Sequence, residues 1–320
     1  MGAAKGEEAA IRCEGLSKRF GDIDALKPLD LAIPHGSIFG YLGRNGAGKT
    51  TTIRLLTGLA QPTTGSATVV GVETTDGQRS ARYQFGYLPQ DPAFYNWMTG
   101  REYLTFVGGL FRLPSKESRK RCEELLELVD LTGVASRRVG GYSRGMRQRL
   151  GIAQALMNKP SVLFLDEPCS ALDPLGRAEV LETLIRLKEQ ETTIFMSSHI
   201  LADVERVCDV VGIIDKGRII VVSGVEELRQ RFAQPVFELE FEEPGYSFIG
   251  ALENLPWVKK VGVEEGVNVF RVRVHVEDVE KAKVELPKVV AESGLTLRQY
   301  QLVLPTLEEA FIELLGNRKG

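Results

Sequence analysis

The stretch GRNGAGKT at 43–50 sets three glycines, a lysine and a threonine at the spacing G-x-x-x-x-G-K-T, between the apolar run SIFGYL and the helical run TTIRLLTG. Glycines let successive backbone N–H groups turn inward around an anion, and a helix start adds its own unpaired N–H groups. Gly43, Gly46 and Gly48, with the intervening Arg44, Asn45 and Ala47 and the following Thr51, therefore form a loop for phosphate oxygens. Lys49 carries a localised positive charge to the outer phosphates, and the Thr50 hydroxyl is offered to Mg²⁺.

VLFLDEP at 162–168 is the second chemical element. Asp166 follows four apolar residues, so it emerges at the carboxyl end of a buried strand, where a metal bound to phosphate lies in such folds. Glu167 beside it permits a division of labour, one carboxylate in the metal shell and one taking a proton from water. The third is VGGYSRGMRQRL at 139–150, where Arg144, Arg147 and Arg149 have no acidic neighbour in the sequence. Its Gly and Ser residues at a helix start can hold an anion. A solvated basic helix has the same composition, so the stretch alone leaves the anion unassigned.

Elements to position these groups are legible around them. From about Ile11 to Ser223, short β-rich runs alternate with helical patterns, as in a largely parallel, covered sheet; 37–42, 161–166, 192–198 and 209–215 are the clearest buried strands. Between 91 and about 150 the pattern becomes helical, with Cys122, Leu125, Leu126, Leu128 and Val129 on one stripe, which suggests an inserted helical subdomain. Past Ala233 the texture changes to alternating strands near 235–241, 257–264, 267–276 and 295–303, with helices near 247–254 and 278–292. The order β-α-β-β-α-β fits a ferredoxin-like unit, with a bulge suggested near Phe270 and Pro287 standing inside a helix. Thr306 and Glu309 form a capping box for an amphipathic helix. Residues 1–10 are expected to be disordered, 11–231 to form the first domain and 232–320 an accessory α+β domain.

Composition narrows the function. A chain of 320 residues, 43% hydrophobic and 26% charged, is an ordinary globular chain of about two domains. Its formal charge of −3 gives no basic field for nucleic acid, and the stretch from 232 onward holds 15 acidic against 10 basic residues. The arginines at 137–149 therefore read as a local site. Four scattered cysteines lack zinc-like or disulfide-scaffold spacing. The opening MGAAKGEEAA lacks the apolar stretch of a secretory signal, its Gly6 breaks a myristoylation pattern, and no segment approaches the apolar length of a membrane span.

GRNGAGKT, YLPQ ending in Gln90, GGYSRGMRQRL, VLFLDEPCSALDP and MSSH ending in His199, in this order over about residues 11–223, resemble the nucleotide-binding subunit of an ABC transporter. The resemblance implies a P-loop NTPase core with a β-rich N-terminal part and an inserted helical subdomain, binding ATP and Mg²⁺. It implies that Ser143 and Gly145 meet the γ-phosphate of ATP held by a second ATP-binding subunit, so that two subunits sandwich two nucleotides. The usual LSGGQ is altered here, with Arg144 for a glycine and Met146 for the glutamine. Gln90 is similar to the residue that senses Mg²⁺ and the attacking water, His199 to the histidine supporting Glu167 at the γ-phosphate, and Phe20 to the aromatic stacked on adenine. Cys169 and Ala171 replace a common threonine and glycine. The helix at 304–316 and the YSxGM signature resemble ABC-2-type exporters, implying export through a separate transmembrane permease from the inner face of the cell membrane. A soluble ABC ATPase acting on ribosomes or nucleic acid is the rival class; such factors usually carry two cassettes in one chain, and this chain shows one. A module that holds ATP without cleaving it conflicts with Glu167 and His199 both being present.

Overall fold

The computed structural model describes residues 9–75, 83–232, 236–266 and 269–303. The chain divides into two compact units that part between Val225 and Glu226. Order begins earlier than the sequence suggests, since Ala10 is buried and its carbonyl accepts the Val70 N–H at 2.8 Å.

In the first unit β1 (Ile11–Phe20) and β2 (Ile23–Ile33) form a hairpin, and β3 (Ile38–Leu42) runs into α1 (Lys49–Leu56). Next come β4 (Thr64–Val69) and β5 (Val72–Glu73), which join the hairpin in an antiparallel sheet of order β2-β1-β4-β5. β6 (Phe85–Leu88) precedes the helices α2 (Gly100–Leu110), α3 (Ser115–Leu128) and α4 (Arg144–Ala155). The chain then alternates through β7 (Val162–Leu165), α5 (Pro174–Glu189), β8 (Thr193–Ser198), α6 (Leu201–Val207), β9 (Val210–Asp215), β10 (Arg218–Gly224) and α7 (Val225–Phe232).

Six strands form the central sheet in the order β10-β9-β3-β8-β7-β6, parallel except for β10. Every residue of β3, β7 and β8 is buried, as expected of parallel strands covered on both faces. The rings of Phe39, Tyr41, Phe164 and Phe195 pack together there, with neighbouring centroids 5.3–6.2 Å apart. Burial of four such side chains contributes roughly 2–3 kcal/mol each, enough to fix the strands whose ends carry the chemistry. The four expected buried strands are present.

The helical insertion is held locally. Thr99 and Glu102 close a capping box on α2, and α3 buries Cys122, Leu125 and Leu126, with Leu128 half-buried. The arginines of α4 each have a partner within the chain, Arg144 at the surface and Arg149 in the interior. Arg144 pairs with Asp91 at 3.3 Å, and Arg147 donates to Asn96 and lies over the Phe94 ring. Arg149 is buried, donating to the carbonyls of Val129 and Asp130 and pairing with Glu179 at 3.0 Å. Folding brings in acidic and carbonyl partners that are distant in sequence.

The second unit takes in α7 after its first residue, followed by β11 (Val236–Phe241), α8 (Tyr246–Glu253), β12 (Val258–Gly266), β13 (Val269–Val276), α9 (Val279–Glu292) and β14 (Leu297–Val303). Its antiparallel sheet has the order β12-β13-β11-β14, a ferredoxin-like arrangement around Phe237, Leu239, Phe241, Val272 and Val274. Pro287 sits on the exposed side of α9, away from that core. No bulge occurs at Phe270. Pairing runs unbroken from Gly266↔Val269 to Lys260↔His275, and the shift lies between Val258 and Lys260. The alternation breaks before Phe270 because β13 begins only at Val269. The helix expected at 304–316 lies outside the described residues. Among the described residues no helix is long and apolar enough to cross a membrane.

Candidate active site

Four segments leave the carboxyl ends of adjacent parallel strands: the loop 43–48 after β3, Gln90 after β6, Asp166 and Glu167 after β7, and His199 after β8. Such an edge is where open α/β sheets bind ligands. Gly48 caps α1 with φ +110°, and a Cβ there would stand 2.5 Å from the Ala25 carbonyl. Only glycine fits both the turn and the approach to β2. No side chain caps α1, so its first N–H groups and positive dipole end are offered to the loop.

Lys49 is 5% exposed and its Nζ donates to the Gly43 carbonyl at 2.6 Å and faces Glu167 Oε1 at 3.0 Å. Glu167 in turn meets His199 Nδ1 through Oε2 at 2.5 Å. The Thr50 and Ser197 hydroxyls both donate to Asp166 Oδ1, at 3.1 and 2.8 Å, and the Ser197 oxygen accepts the Glu167 N–H at 2.9 Å. One serine therefore orients both carboxylates. Sequence reasoning missed it, because its role exists only once β8 lies beside β7.

A cavity of about 650 Å³ opens above the loop. Asn45, Gly46, Gly48, Lys49, Thr50, Thr51, Gln90 and Glu167 line it. Ile23, Asp24, Ala25, Lys216 and Gly217 line it too and were not foreseen. Lys216 and Gly217 form the tight β9–β10 turn, both with positive φ; the Gly217 N–H donates to the Ala47 carbonyl at 2.9 Å and its carbonyl accepts from Lys27. The visible signal was the DKG turn, but not its destination. Phe20, Gly43, Arg44, Ala47, Asp166 and His199 do not line the cavity directly. Phe20 is 54% exposed at the end of β1, opposite the lining residue Ile23, with Lys18 Nζ 4.9 Å from its ring centroid. Ser143 and Gly145 stand apart from this cavity. Ser143 caps α4 by accepting the Met146 N–H at 3.2 Å, and Gly145 packs so closely that a Cβ would stand 3.3 Å from Gly176 Cα.

The donor set suits Mg²⁺: a hydroxyl and a carboxylate, both hard oxygen ligands, beside a loop for phosphates. Among the described residues no cluster of three metal-ligating acids, histidines or cysteines occurs. Burial pushes the Asp166 carboxyl above its ordinary range, despite the two hydroxyls that favour its charge. A raised pKa makes the ionised form a cost to the folded state, absent at low pH and incurred as pH rises through that pKa. Asp166→Asn is therefore expected to melt a few degrees higher than the parent at neutral pH without nucleotide, the gain shrinking on acidification. Thermal melts across a pH series check this, and an unchanged neutral melting temperature would contradict it.

Backbone strain marks the same loop. Glu167 and Ala171 both have φ +52°. A left-handed alanine costs about 1–2 kcal/mol, and glycine loses roughly 0.4–1 kcal/mol of that relief to its freer unfolded chain. Ala171→Gly should accordingly stabilise by about 0.5–1 kcal/mol, read as a higher urea midpoint.

A second cavity of about 720 Å³ lies between β6 and the helical insertion, lined by Tyr87, Phe94, Tyr95, Tyr103, Phe106 and Leu110 among others, with no charged side chain among the described residues.

The family of ABC transporters matches residues 26–170, and the C-terminal domain described as ATP-binding protein DrrA1-3-like matches 224–315. The uncharacterized ABC transporter ATP-binding protein YxlF of Bacillus subtilis (strain 168) is 38% identical over 95% of this chain and 99% of its own length. The daunorubicin resistance ATP-binding protein DrrA3 of Streptomyces coeruleorubidus is 34% identical over 97% of both chains. A solved ATP-binding subunit of an ABC transporter superimposes with a TM-score of 0.63, at 31% identity over 70% of this chain and 93% of that one. With the phosphate loop, the paired carboxylates and these full-length likenesses together, the chain belongs to the ATP-binding proteins of ABC transporters, which hydrolyse ATP.

Proposed function

We propose that two copies of this chain close around two Mg-ATP and that hydrolysis drives export through a separate transmembrane permease at the inner face of the cell membrane. The observation that carries the dimer is the separation of the Ser143–Gly145 element from its own chain's cavity, with Ser143 exposed at the start of α4. A helix start of that kind binds an anion supplied from outside the chain. The likeness of the second unit to the DrrA C-terminal domain supports export, and the uncharged aromatic groove offers the permease an apolar docking surface.

In this reading Gly43, Arg44, Asn45, Gly46, Ala47, Gly48, Thr50 and Thr51 hold the triphosphate, Lys49 draws its charge, and Phe20 stacks on adenine through its open face. Thr50, Asp166 and Gln90 hold Mg²⁺, which when bound supplies positive charge to the phosphate oxygens. Glu167 takes the proton of the attacking water, and His199 orients it through the 2.5 Å contact at Oε2.

Ser143→Asp tests the sandwich. Aspartate also caps helices, so α4 keeps its start, while a carboxylate now faces the incoming γ-phosphate. A Gly145 variant is a poorer test because of the approach to Gly176. The Glu167→Gln protein with Mg-ATP should run as a dimer on gel filtration. Adding Ser143→Asp should return it to the elution position seen without nucleotide, with ATP still bound, and a double variant that still gains dimer on addition of Mg-ATP would defeat the reading.

A further inference from the structure

β12, which neither the nucleotide site nor the aromatic groove uses, reads VKKVGVEEG over Val258–Gly266. It forms one edge of its sheet, and among the described residues no strand pairs with its outer side. An edge strand offers a row of N–H and C=O groups to a further strand. Lys259, Lys260, Val263 and Glu264 are exposed, Val263 by 39%.

The order of charge is the informative feature. Lys259 and Lys260 precede Gly262, and Glu264 and Glu265 follow it. An antiparallel second copy, laid along this edge with its two-fold axis at Gly262, sets each Lys260 opposite Glu264 of the other copy, and each Val261 opposite Val263. Alternation puts Lys260 and Glu264 on one face of the sheet and Val261 and Val263 on the other. Backbone groups alternate in the same way, and pairing about Gly262 matches odd positions with odd and even with even, as an antiparallel ladder requires.

Glu264 has charge to spare. It lies 3.4 Å from Arg271, but that guanidinium also faces Glu238 at 3.3 Å and bonds Glu240 at 2.9 Å, so three carboxylates share it. Glu264 remains 60% exposed. Lysines on an edge ordinarily keep other chains away. Here the two signs exchange places under a two-fold rotation, so the strand repels a like-charged edge and attracts its own copy. The opposite edge, β14, reads LRQYQLV and has Arg298 as its single charge, with no such inversion.

We infer that the outer edge of β12 is an isologous contact between two copies of this chain, joining two four-stranded sheets into one of eight strands. It goes beyond the nucleotide sandwich and does not need ATP. The contact is short, so it is weak and its dimer is populated only at high protein concentration.

Sedimentation velocity of the full chain without nucleotide, over a concentration series, tests the inference. The parent should show reversible dimerisation that weakens with salt. Lys260→Glu and Glu264→Lys should each weaken it about tenfold or more, since each turns two cross-strand attractions into repulsions. Mixed in equal amounts, these two variants carry complementary edges and should dimerise with each other. Both should hydrolyse ATP at the parent rate, which certifies their folding. A parent that is monomeric throughout, single variants that associate like the parent, or a mixture no larger than its components would each overturn the proposal.

Discussion

Glu167→Gln is expected to lower ATP turnover by about 10²–10⁴-fold, the usual contribution of a positioned general base, while Mg-ATP affinity is unchanged or higher. The amide keeps the shape of the side chain, which is 6% exposed and whose backbone N–H is fixed by Ser197. It cannot accept a proton from water. Affinity should not fall, because without nucleotide Glu167 competes with the phosphates for Lys49, across 3.0 Å. The amide competes less. Single-turnover hydrolysis and equilibrium nucleotide binding separate the two effects. A variant hydrolysing ATP at the parent rate would remove Glu167 from the chemistry.

Lys49→Ala is expected to lose both affinity and turnover. A charge-assisted hydrogen bond contributes about 1.5–3 kcal/mol, roughly ten- to hundredfold in Kd, and electrostatic stabilisation of the reacting phosphate adds about 10²–10³-fold in kcat. The substitution should also lower the melting temperature without nucleotide. It leaves the buried Glu167 carboxylate without its cation and the Gly43 carbonyl without its 2.6 Å donor, and breaking a buried pair costs about 3 kcal/mol or more. Glu167→Gln breaks the same pair from the other side but leaves Lys49 the Gly43 carbonyl and an amide oxygen to bond, so both variants should melt lower without nucleotide and only Lys49→Ala should lose affinity. Unchanged binding and hydrolysis in Lys49→Ala would place the phosphates elsewhere.

Legibility in the sequence follows from how local each constraint is. The phosphate loop, the strand ending in Asp166 and the four buried strands are written in consecutive residues, because a turn, a helix start and a covered strand are each decided within about ten positions. The second unit's alternation was legible for the same reason. Ser197, the Lys216–Gly217 turn and the partners of Arg149 were not, since they depend on which strands and helices become neighbours. The apparent bulge at Phe270 shows the same limit: alternation reports a phase change but not whether a bulge or a strand start produces it.

The Gly217 turn has a consequence for synthesis. Ala47 of the phosphate loop waits for a donor 170 residues downstream, and β3 has β8 and β9 as its neighbours. At roughly 5–20 residues per second, the loop emerges about 10–35 seconds before the turn that supports it. Contacts of such long separation form slowly and late. A nascent chain is therefore unable to assemble the pocket until its first unit is essentially finished, so retention on immobilised ATP selects chains in which Ile11 through Gly224 have folded as a whole.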